Sequence, residues 1–411
     1  MRSDRNWAIL HTPSLLRTTS GLAMNTKLSR LLGLAPLIIA GMTPTTCDPA
    51  FVSATMQAGY HIEFAGGGYR NALQMTKALE SVRDTMPVGR KIAINIIYID
   101  QKSIAWQIPM IKQLRSAGFP IGSITIGAGV PSLHVATEYI ADLGLDFISF
   151  KPGSIEAIRN VLEIARLHAN FPIVLQWTSG RGGGHHSFED FNQPILDTYA
   201  EIRQCENVVL VAGSGFGSAE DMFPYISGAW SLESGKAAPM PFDGILLGSR
   251  MMTCKEAPTS SEVKKCIAAA KGVEATDWEG TIQGPHGGII SVKSEMGEAI
   301  HVVATRGVMF WAEMDRTVFS LDKSKQAAII NSKREYIIER LNKDSQKVWF
   351  GEKTVEPNVT KACGLEEMTY EQVLRRMISL MFLEKRRRWI DPPTGLSTGI
   401  SKCVQRSAML H

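Results

Sequence analysis

Hydrophobic positions along the chain alternate between short continuous apolar runs and longer segments whose apolar residues recur every three or four positions. Residues 155–167, for example, repeat apolar side chains with the period of a helix. A continuous run such as residues 208–211 (VVLV) is typical of a parallel strand that helices cover on both faces. The apolar runs number eight and occupy residues 36–40, 60–65, 91–97, 122–126, 145–150, 172–177, 207–212 and 242–247.

Eight predicted strands, each followed by a predicted helix, indicate an α/β fold of the (β/α)8 TIM-barrel type. An open, doubly wound sheet is the alternative arrangement of the same units. The barrel is expected over residues 31–255, after a lead-in at residues 1–30. An appended, mostly helical region with small strands is expected over residues 256–391, and the tail 392–411 matches no pattern.

Local signals predict the elements of the appended region. Helical spacing covers residues 256–274 and 327–341, and a Gly287-Gly288 turn leads into a short strand at residues 289–292. The sequence from Thr369 to Gln372 is a capping box, which predicts the start of a further helix. That helix is expected to end in the basic run 385–388, where cations complement a helix C-terminus.

Composition and charge narrow the function classes. The 411 residues include 44 Lys and Arg against 40 Asp and Glu, a net charge of +4. This charge is too small for electrostatic binding of nucleic acid. No apolar run is long enough to cross a membrane. Six scattered cysteines without a CxxC pair favour a reducing compartment, so we expect a soluble, cytoplasmic protein, although the arginine-rich start leaves a transit peptide as the alternative.

Glycine and small polar residues follow seven of the eight predicted strands, where a barrel carries its active site. Glycine lets backbone N–H groups approach a flat or phosphorylated ligand closely. The segment 213–217 (GSGFG) lacks the spacing of a dinucleotide fingerprint and follows the seventh strand. Together with Gly248-Ser249 after the eighth strand, it favours binding of one mononucleotide phosphate.

Two adjacent histidines, His185 and His186, follow three glycines after the sixth strand. Because neighbouring side chains in an extended segment point in opposite directions, the pair does not predict a metal site. A histidine on a glycine-rich loop at the catalytic face is suited to proton donation, which favours His185 as a catalytic residue. Lys151 is a candidate for Schiff-base chemistry, but charge stabilisation beside a cofactor is the simpler interpretation.

Six long strings in the sequence are distinctive: LAPLIIAGMT (34–43), YHIEFAGGG (60–68), SFKPGS (149–154), QWTSGRGGGHHSFED (176–190), AGSGFG (212–217) and PFDGILLGSR (241–250). They closely resemble the enoyl reductase domain of the fungal type I fatty acid synthase beta subunit, and the similarity extends from about Pro13 to Asp391. A more distant resemblance is to FMN-dependent nitronate monooxygenases and bacterial flavin enoyl reductases.

The resemblance implies an FMN-containing barrel that uses NADPH to reduce trans-2-enoyl thioesters carried by an acyl carrier domain. His185 matches the catalytic histidine of the family, and His186 is its alternate. The residues implied along the isoalloxazine are Gly41, Met42 and Thr43, with Asn95 and Lys151 near its polar edge. The residues implied around the phosphate are Gly213, Ser214, Gly215, Gly248 and Ser249, and Gly183 and Gly184 complete the cofactor-binding set.

Two alternatives stay open at this point. The same flavin and histidine could oxidise nitronates, or the chain could be a non-catalytic domain of a fatty acid synthase. The family domain lies in a far longer polypeptide with acyltransferase and dehydratase modules, which this sequence does not contain. A stand-alone protein, a split domain and a truncated fragment are therefore all compatible with the resemblance.

Overall fold

The computed structural model describes residues 10–344 except 20, 214, 275 and 295–297, together with 352–356, 359–362, 369, 371–372, 382–383 and 388–389. The chain divides into two compact units, Met1–Val302 and Val303–His411. The domain boundaries expected from the sequence stay predictions. None of the helices in the described ranges has the length and apolar character needed to cross a membrane.

Eight parallel strands form a closed barrel in chain order, which confirms the predicted fold. Each strand pairs in parallel with the one before and after it, and the ring closes between β8 and β1. The strands are β1 (Leu37–Ile39), β2 (His61–Ala65), β3 (Ile92–Ile97), β4 (Ile121–Gly127), β5 (Phe147–Phe150), β6 (Ile173–Trp177), β7 (Val208–Gly213) and β8 (Gly244–Leu247).

Helices connect the strands, and six of the eight begin at side-chain caps that satisfy free backbone N–H groups. Ser154 caps the helix Ile155–Leu167, whose bounds agree with the predicted segment. Ser218 forms a capping box at the start of the helix after β7. The connecting helices are Pro49–Gln57, Ala72–Thr85, Gln101–Ser116, Leu133–Asp142, Ile155–Leu167, Gln193–Gln204, Ala219–Ser227 and Ala229–Glu233.

Other elements precede and follow the barrel within the first unit. A hairpin of Ser14–Thr18 and Gly21–Asn25 leads into the helix Lys27–Leu32. After β8 come the helices Ser261–Ala269 and Gly280–Gln283. A three-stranded sheet then joins Ile289–Lys293, Ala299–Val303 and the two-residue strand Gly184–His185. The predicted strand at residues 289–292 is therefore confirmed.

Two helix predictions need correction. The segment 256–274 is helical only over Ser261–Ala269, because Ser260 caps the helix start and the chain turns at Gly272, where φ is +86°. The stripe at 327–341 belongs to two helices, Lys323–Ser332 and Arg334–Asp344, with the break at Lys333. Apolar residues at helical spacing indicate which face of a helix is buried, but they do not show where one helix ends and the next begins.

The second unit consists of short elements. Its first helix, Arg306–Met314, buries Phe310 and Met314. The capping box is present, because Gln372 N–H donates to Thr369 Oγ1 at 3.3 Å and Thr369 N–H donates to Gln372 Oε1 at 3.0 Å. The rest of that predicted helix lies outside the described residues, apart from strand residues at its far end. The strands pair as Glu352–Glu356 with Val359–Ala362 and as Phe382–Leu383 with Arg388–Trp389.

Side chains that point into the barrel divide its interior into two halves. One half is an apolar cluster, called the amino half because Leu28 of the helix Lys27–Leu32 closes it beside Gly244, the first residue of β8. Lys27 anchors that helix at the start of β7, since its Nζ donates to the carbonyl oxygen of Val208 at 2.8 Å. The cluster consists of Leu28, Ile38, Ala40, Phe147, Val174, Val209, Val211 and Leu246. The carboxyl half is polar and holds the candidate site.

Candidate active site

A fully buried carboxylate, Glu63 of β2, occupies the centre of the carboxyl half. Five donors converge on its two oxygens from five different places on the barrel wall. Oε1 accepts from Thr125 Oγ1 at 2.9 Å and from Gln176 Nε2 at 2.7 Å. Oε2 accepts from Gly41 N at 2.9 Å, Asn95 Nδ2 at 2.9 Å and Lys151 Nζ at 3.0 Å. This network brings together Gly41, Asn95 and Lys151, which the family resemblance implied around one cofactor ring.

The ionisation of Glu63 follows from these contacts. Burial raises the pKa of the carboxyl group, but the Lys151 ammonium and the hydrogen bonds from Gln176 and Gly41 outweigh burial and lower the pKa to about 2. Glu63 is therefore ionised at neutral pH, and Lys151 balances its charge. A buried anion that is paired and accepts several hydrogen bonds meets the conditions under which a buried charge is tolerated.

Glu63 also orients two amide side chains. Because a carboxylate can only accept, Asn95 and Gln176 must turn their NH2 groups towards it and their carbonyl oxygens away. Gln176 Oε1 is buried and has no hydrogen-bond partner among the described residues. A buried acceptor left without a donor is costly, so this atom indicates a place where a ligand N–H or O–H would be stabilised.

The turn after β1 closely approaches β3. A Cβ added to Gly41 would lie 2.5 Å from Asn95 Cβ, so only glycine allows this contact. Met42 is half-buried and packs against the apolar clusters inside and outside the barrel. Thr43 is exposed, and its Oγ1 lies 3.7 Å from the place of a Cβ on Gly67 in the turn after β2. The turns after β1 and β2 therefore meet at the carboxyl end of the barrel.

The predicted phosphate loops have different local environments. A Cβ on Gly213 would lie 2.9 Å from Leu246 Cδ2, so packing inside the barrel wall is enough to require glycine there. Gly215 has φ +76° and, like Gly248, has open space where a Cβ would point. Ser214 lies outside the described residues. Gly215 and Gly248 are therefore the positions at which a ligand could contact the backbone directly.

The loop after β6 meets the loop after β8. A Cβ on Gly183 would lie 3.5 Å from Ser249 Oγ, while Gly184 has φ +70° and open space around it. At the helix that follows the β7 loop, the N–H groups of Gly217 and Ser218 already donate to Asp221 Oδ2 at 3.1 and 3.0 Å. A phosphate in this region would therefore have to bind the loop residues before Gly217.

The histidine loop runs along the edge of this region. His185 lies in the short strand Gly184–His185, and its Nε2 is 3.6 Å from Glu298 Oε2. This separation suits an ion pair when the ring is protonated, but it is too long for a hydrogen bond. His186 turns elsewhere, with its Nδ1 3.1 Å from the carbonyl oxygen of Gly184, and burial lowers its pKa. The two histidines therefore have different neighbours, as their adjacency in an extended segment predicts.

Sequence reasoning missed Glu63, Thr125 and Gln176. A signal was available, because each is a polar residue inside a mostly apolar strand, in HIEFA, IGSITIG and IVLQW. An isolated polar residue in such a strand points into the barrel or is paired with a partner. Glu298 and His301 gave no comparable signal, because they belong to a segment that returns to the barrel only in the tertiary structure.

Residues 172–408 match the family described as fatty acid synthase subunit beta/Fas1-like, helical. The fatty acid synthase beta subunit pigK of Monascus ruber is 53% identical over 388 residues, 94% of this chain and 19% of that protein. The fatty acid synthase subunit beta of Saccharomyces cerevisiae is 51% identical over 400 residues, 97% of this chain and 19% of that protein. The chain therefore spans about a fifth of the length of these relatives.

A nitroalkane oxidase from Streptomyces ansochromogenes aligns with a TM-score of 0.46 and 16% sequence identity, over 68% of this chain and 79% of that one.

Proposed function

Since the chain belongs to the Fas1-like family of fatty acid synthase beta subunits, we propose that it reduces trans-2-enoyl thioesters with NADPH and bound FMN, in fatty acid biosynthesis. The substrate is delivered on an acyl carrier domain, and the partners are other modules of the synthase. The observation that carries the proposal is the polar lining of the carboxyl half, where Glu63 holds Gly41, Asn95 and Lys151 together beneath the glycine loops.

Several features of this lining support a flavin mononucleotide. The unpartnered Gln176 Oε1 is an acceptor for an N–H such as that of an isoalloxazine ring. Lys151 offers a positive charge near the polar edge of such a ring, and its side chain is 15% exposed. Gly215 and Gly248 leave room for one phosphate beside Ser249. A flavin bound here would supply hydride transfer from NADPH to the β-carbon of the enoyl thioester.

The protein's own residues supply the remaining chemistry. Negative charge develops on the thioester oxygen and the α-carbon when the β-carbon is reduced, so a proton donor is needed at the α-carbon. In the proposed reaction His185 donates that proton, and Glu298 gives the imidazolium a counter-charge 3.6 Å from Nε2. A positioned acid of this kind is typically worth roughly 10²–10⁴-fold in rate. Glu63 cannot be the proton donor, since its carboxyl group is ionised at neutral pH, and its role is to hold Gly41, Asn95 and Lys151 in place.

Flavin identity is the first test. The purified chain should be yellow, and heat should release FMN, identified by its mass. One phosphate fits the two small loops after β7 and β8, and the sequence contains no second nucleotide fingerprint. Recovery of FAD would contradict the proposed cofactor. A colourless protein that takes up no added FMN would support a non-catalytic domain instead.

The second test places the phosphate at Gly215. Gly215→Val should abolish flavin retention, because the side chain would fill the open space beside the loop. A side chain at φ +76° is also strained, so the matched control is Gly235→Val, where φ is +78° and the space is equally open. Both variants should lose a similar stability of about 1–2 kcal/mol. Full flavin retention in Gly215→Val, or equal loss in both variants, would contradict the proposed site.

The third test separates the two half-reactions. His185→Ala should retain FMN and lose its colour with NADPH at the normal rate, yet reoxidise with an enoyl thioester roughly 10²–10⁴ times more slowly. His134→Ala is the control, since His134 lies on an outer helix and its side chain is 82% exposed. Unimpaired reoxidation in His185→Ala would contradict its role. A flavin that is bleached by a nitronate and not by NADPH would contradict the reductase.

A further inference from the structure

The strand Ala299–Val303 follows the whole barrel in sequence, yet it pairs with the histidine loop after β6. Ile300 pairs with His185 and His301 pairs with Gly184 in antiparallel register. The His301 residue is 6% exposed, so it is enclosed by this pairing. A residue from outside the eight β/α units therefore becomes part of the loop that presents His185.

The His301 ring contacts both ends of the loop segment Gly182–His186. At one end, its Nδ1 donates to the carbonyl oxygen of Gly182 at 3.0 Å. At the other end, its ring stacks on His186 with centroids 3.5 Å apart and planes 9° from parallel. Trp278 packs against the same ring at a centroid distance of 4.8 Å.

The stack is favourable because both rings are uncharged at neutral pH. Burial, with the neighbouring His186 as a smaller cause, lowers the pKa of His301 to about 4. Burial also lowers the pKa of His186. Two neutral imidazoles can lie face to face without charge repulsion, and the hydrogen bond to Gly182 then selects the Nδ1–H tautomer of His301.

Three successive glycines have more backbone freedom than any other tripeptide, so this loop cannot hold one conformation through local preference. We propose that His301 is the positioning residue that holds the Gly182–His186 segment in the conformation presenting His185. The role in catalysis rests on the proposed function of His185, whereas the ordering of the loop can be measured without it.

The test compares hydrogen exchange in three variants of the full chain. His301→Phe keeps a flat ring and removes the donor to Gly182, whereas His301→Asn keeps a donor near the Nδ1 position and loses the stack. His168→Phe is the matched control, because it removes a half-buried histidine whose Nε2 lies 2.9 Å from Thr137 Oγ1. Exchange is followed for the amides of residues 182–186 and of β6.

In His301→Phe, the amides of residues 182–186 should exchange about tenfold faster or more, as expected when a local hydrogen bond is lost. The amides of β6 should not change, and His301→Asn should show a smaller rise than His301→Phe. Unchanged exchange in residues 182–186 would overturn the proposal. An equal rise in β6, or an equal rise in His168→Phe, would assign His301 to general stability and overturn it as well.

A second readout connects the loop to the reaction. If His185 is the proton donor, His301→Phe should slow flavin reoxidation by the enoyl thioester and leave bleaching by NADPH unchanged, with partial rescue in His301→Asn. Normal reoxidation together with faster loop exchange would contradict the positioning role in catalysis. A wild-type chain that reduces no enoyl thioester would contradict the proposed function alone, because the exchange result would still decide whether His301 orders the loop.

Discussion

The two halves of the barrel interior are built from the same eight strands but use opposite chemistry. The amino half is filled with aliphatic and aromatic side chains around Leu28. The carboxyl half contains a buried ion pair, two amides and a hydroxyl around Glu63. Apolar packing needs only shape, whereas the polar half needs every donor aimed at a particular oxygen. The amino half therefore stabilises the barrel, and the carboxyl half prepares a surface for a ligand.

The difference also concerns how each half responds to change. An apolar core loses stability roughly in proportion to the volume removed. A buried charge network fails more abruptly, since removing one partner leaves the others without compensation. The two halves should therefore differ in how much stability a single substitution removes.

Removing the charge of Glu63 should produce the largest loss. Glu63→Gln leaves the Lys151 ammonium, on a side chain that is only 15% exposed, without its counter-charge, which we expect to cost about 3–5 kcal/mol in the free energy of unfolding. Urea unfolding measures this loss. The double variant Glu63→Gln/Lys151→Met removes both charges and should recover part of the stability. A single variant as stable as the wild type would show that the carboxyl half does not depend on the ion pair.

Truncating Leu28, which closes the amino half, should lower the free energy of unfolding by a smaller amount. Leu28→Ala removes a side chain with no exposed surface and should lower the free energy of unfolding by about 2–4 kcal/mol. It should leave flavin retention unchanged, because Leu28 contacts the interior at the amino ends of the strands. If Leu28→Ala folds but retains less flavin than the wild type, the two halves of the interior do not act separately.

Acid should affect His61 in the amino half before it neutralises Glu63 in the carboxyl half. His61, whose ring lies 5.9 Å from that of Phe147, has its pKa lowered by burial to about 4. The unfolded chain therefore binds a proton below pH 6.5 that the native chain does not accept until about pH 4, so stability falls as the pH drops through this window. The contribution of Glu63 is present above pH 4.5 and is lost later, as the pH falls towards about 2.

His61→Phe tests this order. The loss of unfolding free energy between pH 7 and pH 5 should shrink by about 1–2 kcal/mol relative to the wild type. Urea unfolding at the two pH values measures it, with the exposed His134→Ala as the control. If the pH dependence is the same in His61→Phe, the acid-sensitive group lies elsewhere.

The smallest effect is expected for an ion pair on the outer surface. Lys112 Nζ lies 2.7 Å from Asp142 Oδ2, a shorter distance than that between Lys151 and Glu63, but both side chains are more than half exposed. Lys112→Ala should therefore change the free energy of unfolding by only about 0.2–1 kcal/mol. If Lys112→Ala lowers the free energy of unfolding as much as Glu63→Gln does, burial does not explain the larger contribution of the Lys151–Glu63 pair.

Much of the architecture could be predicted from local pattern. The eight strands lie within a few residues of the apolar runs, because a strand buried on both faces must be apolar along its whole length. The helix Ile155–Leu167 could also be predicted from the sequence, since Ser154 caps it and its apolar residues keep helical spacing along its whole length. The break at Lys333 was not, because no proline or glycine marks it in the sequence. The residue strings that resemble the fungal synthase domain led to the family that the comparisons confirm.

The sequence by itself determined the barrel, the family and the glycine loops, since each depends on patterns within a few neighbouring residues. Only the tertiary structure decided that Glu63 collects its five donors from five separate places on the barrel wall. It also decided that His301, 116 positions after His185, orders the loop on which that histidine lies. Such contacts join distant parts of the chain through the closure of the sheet, and a local pattern carries no information about which distant residue will arrive at a given point.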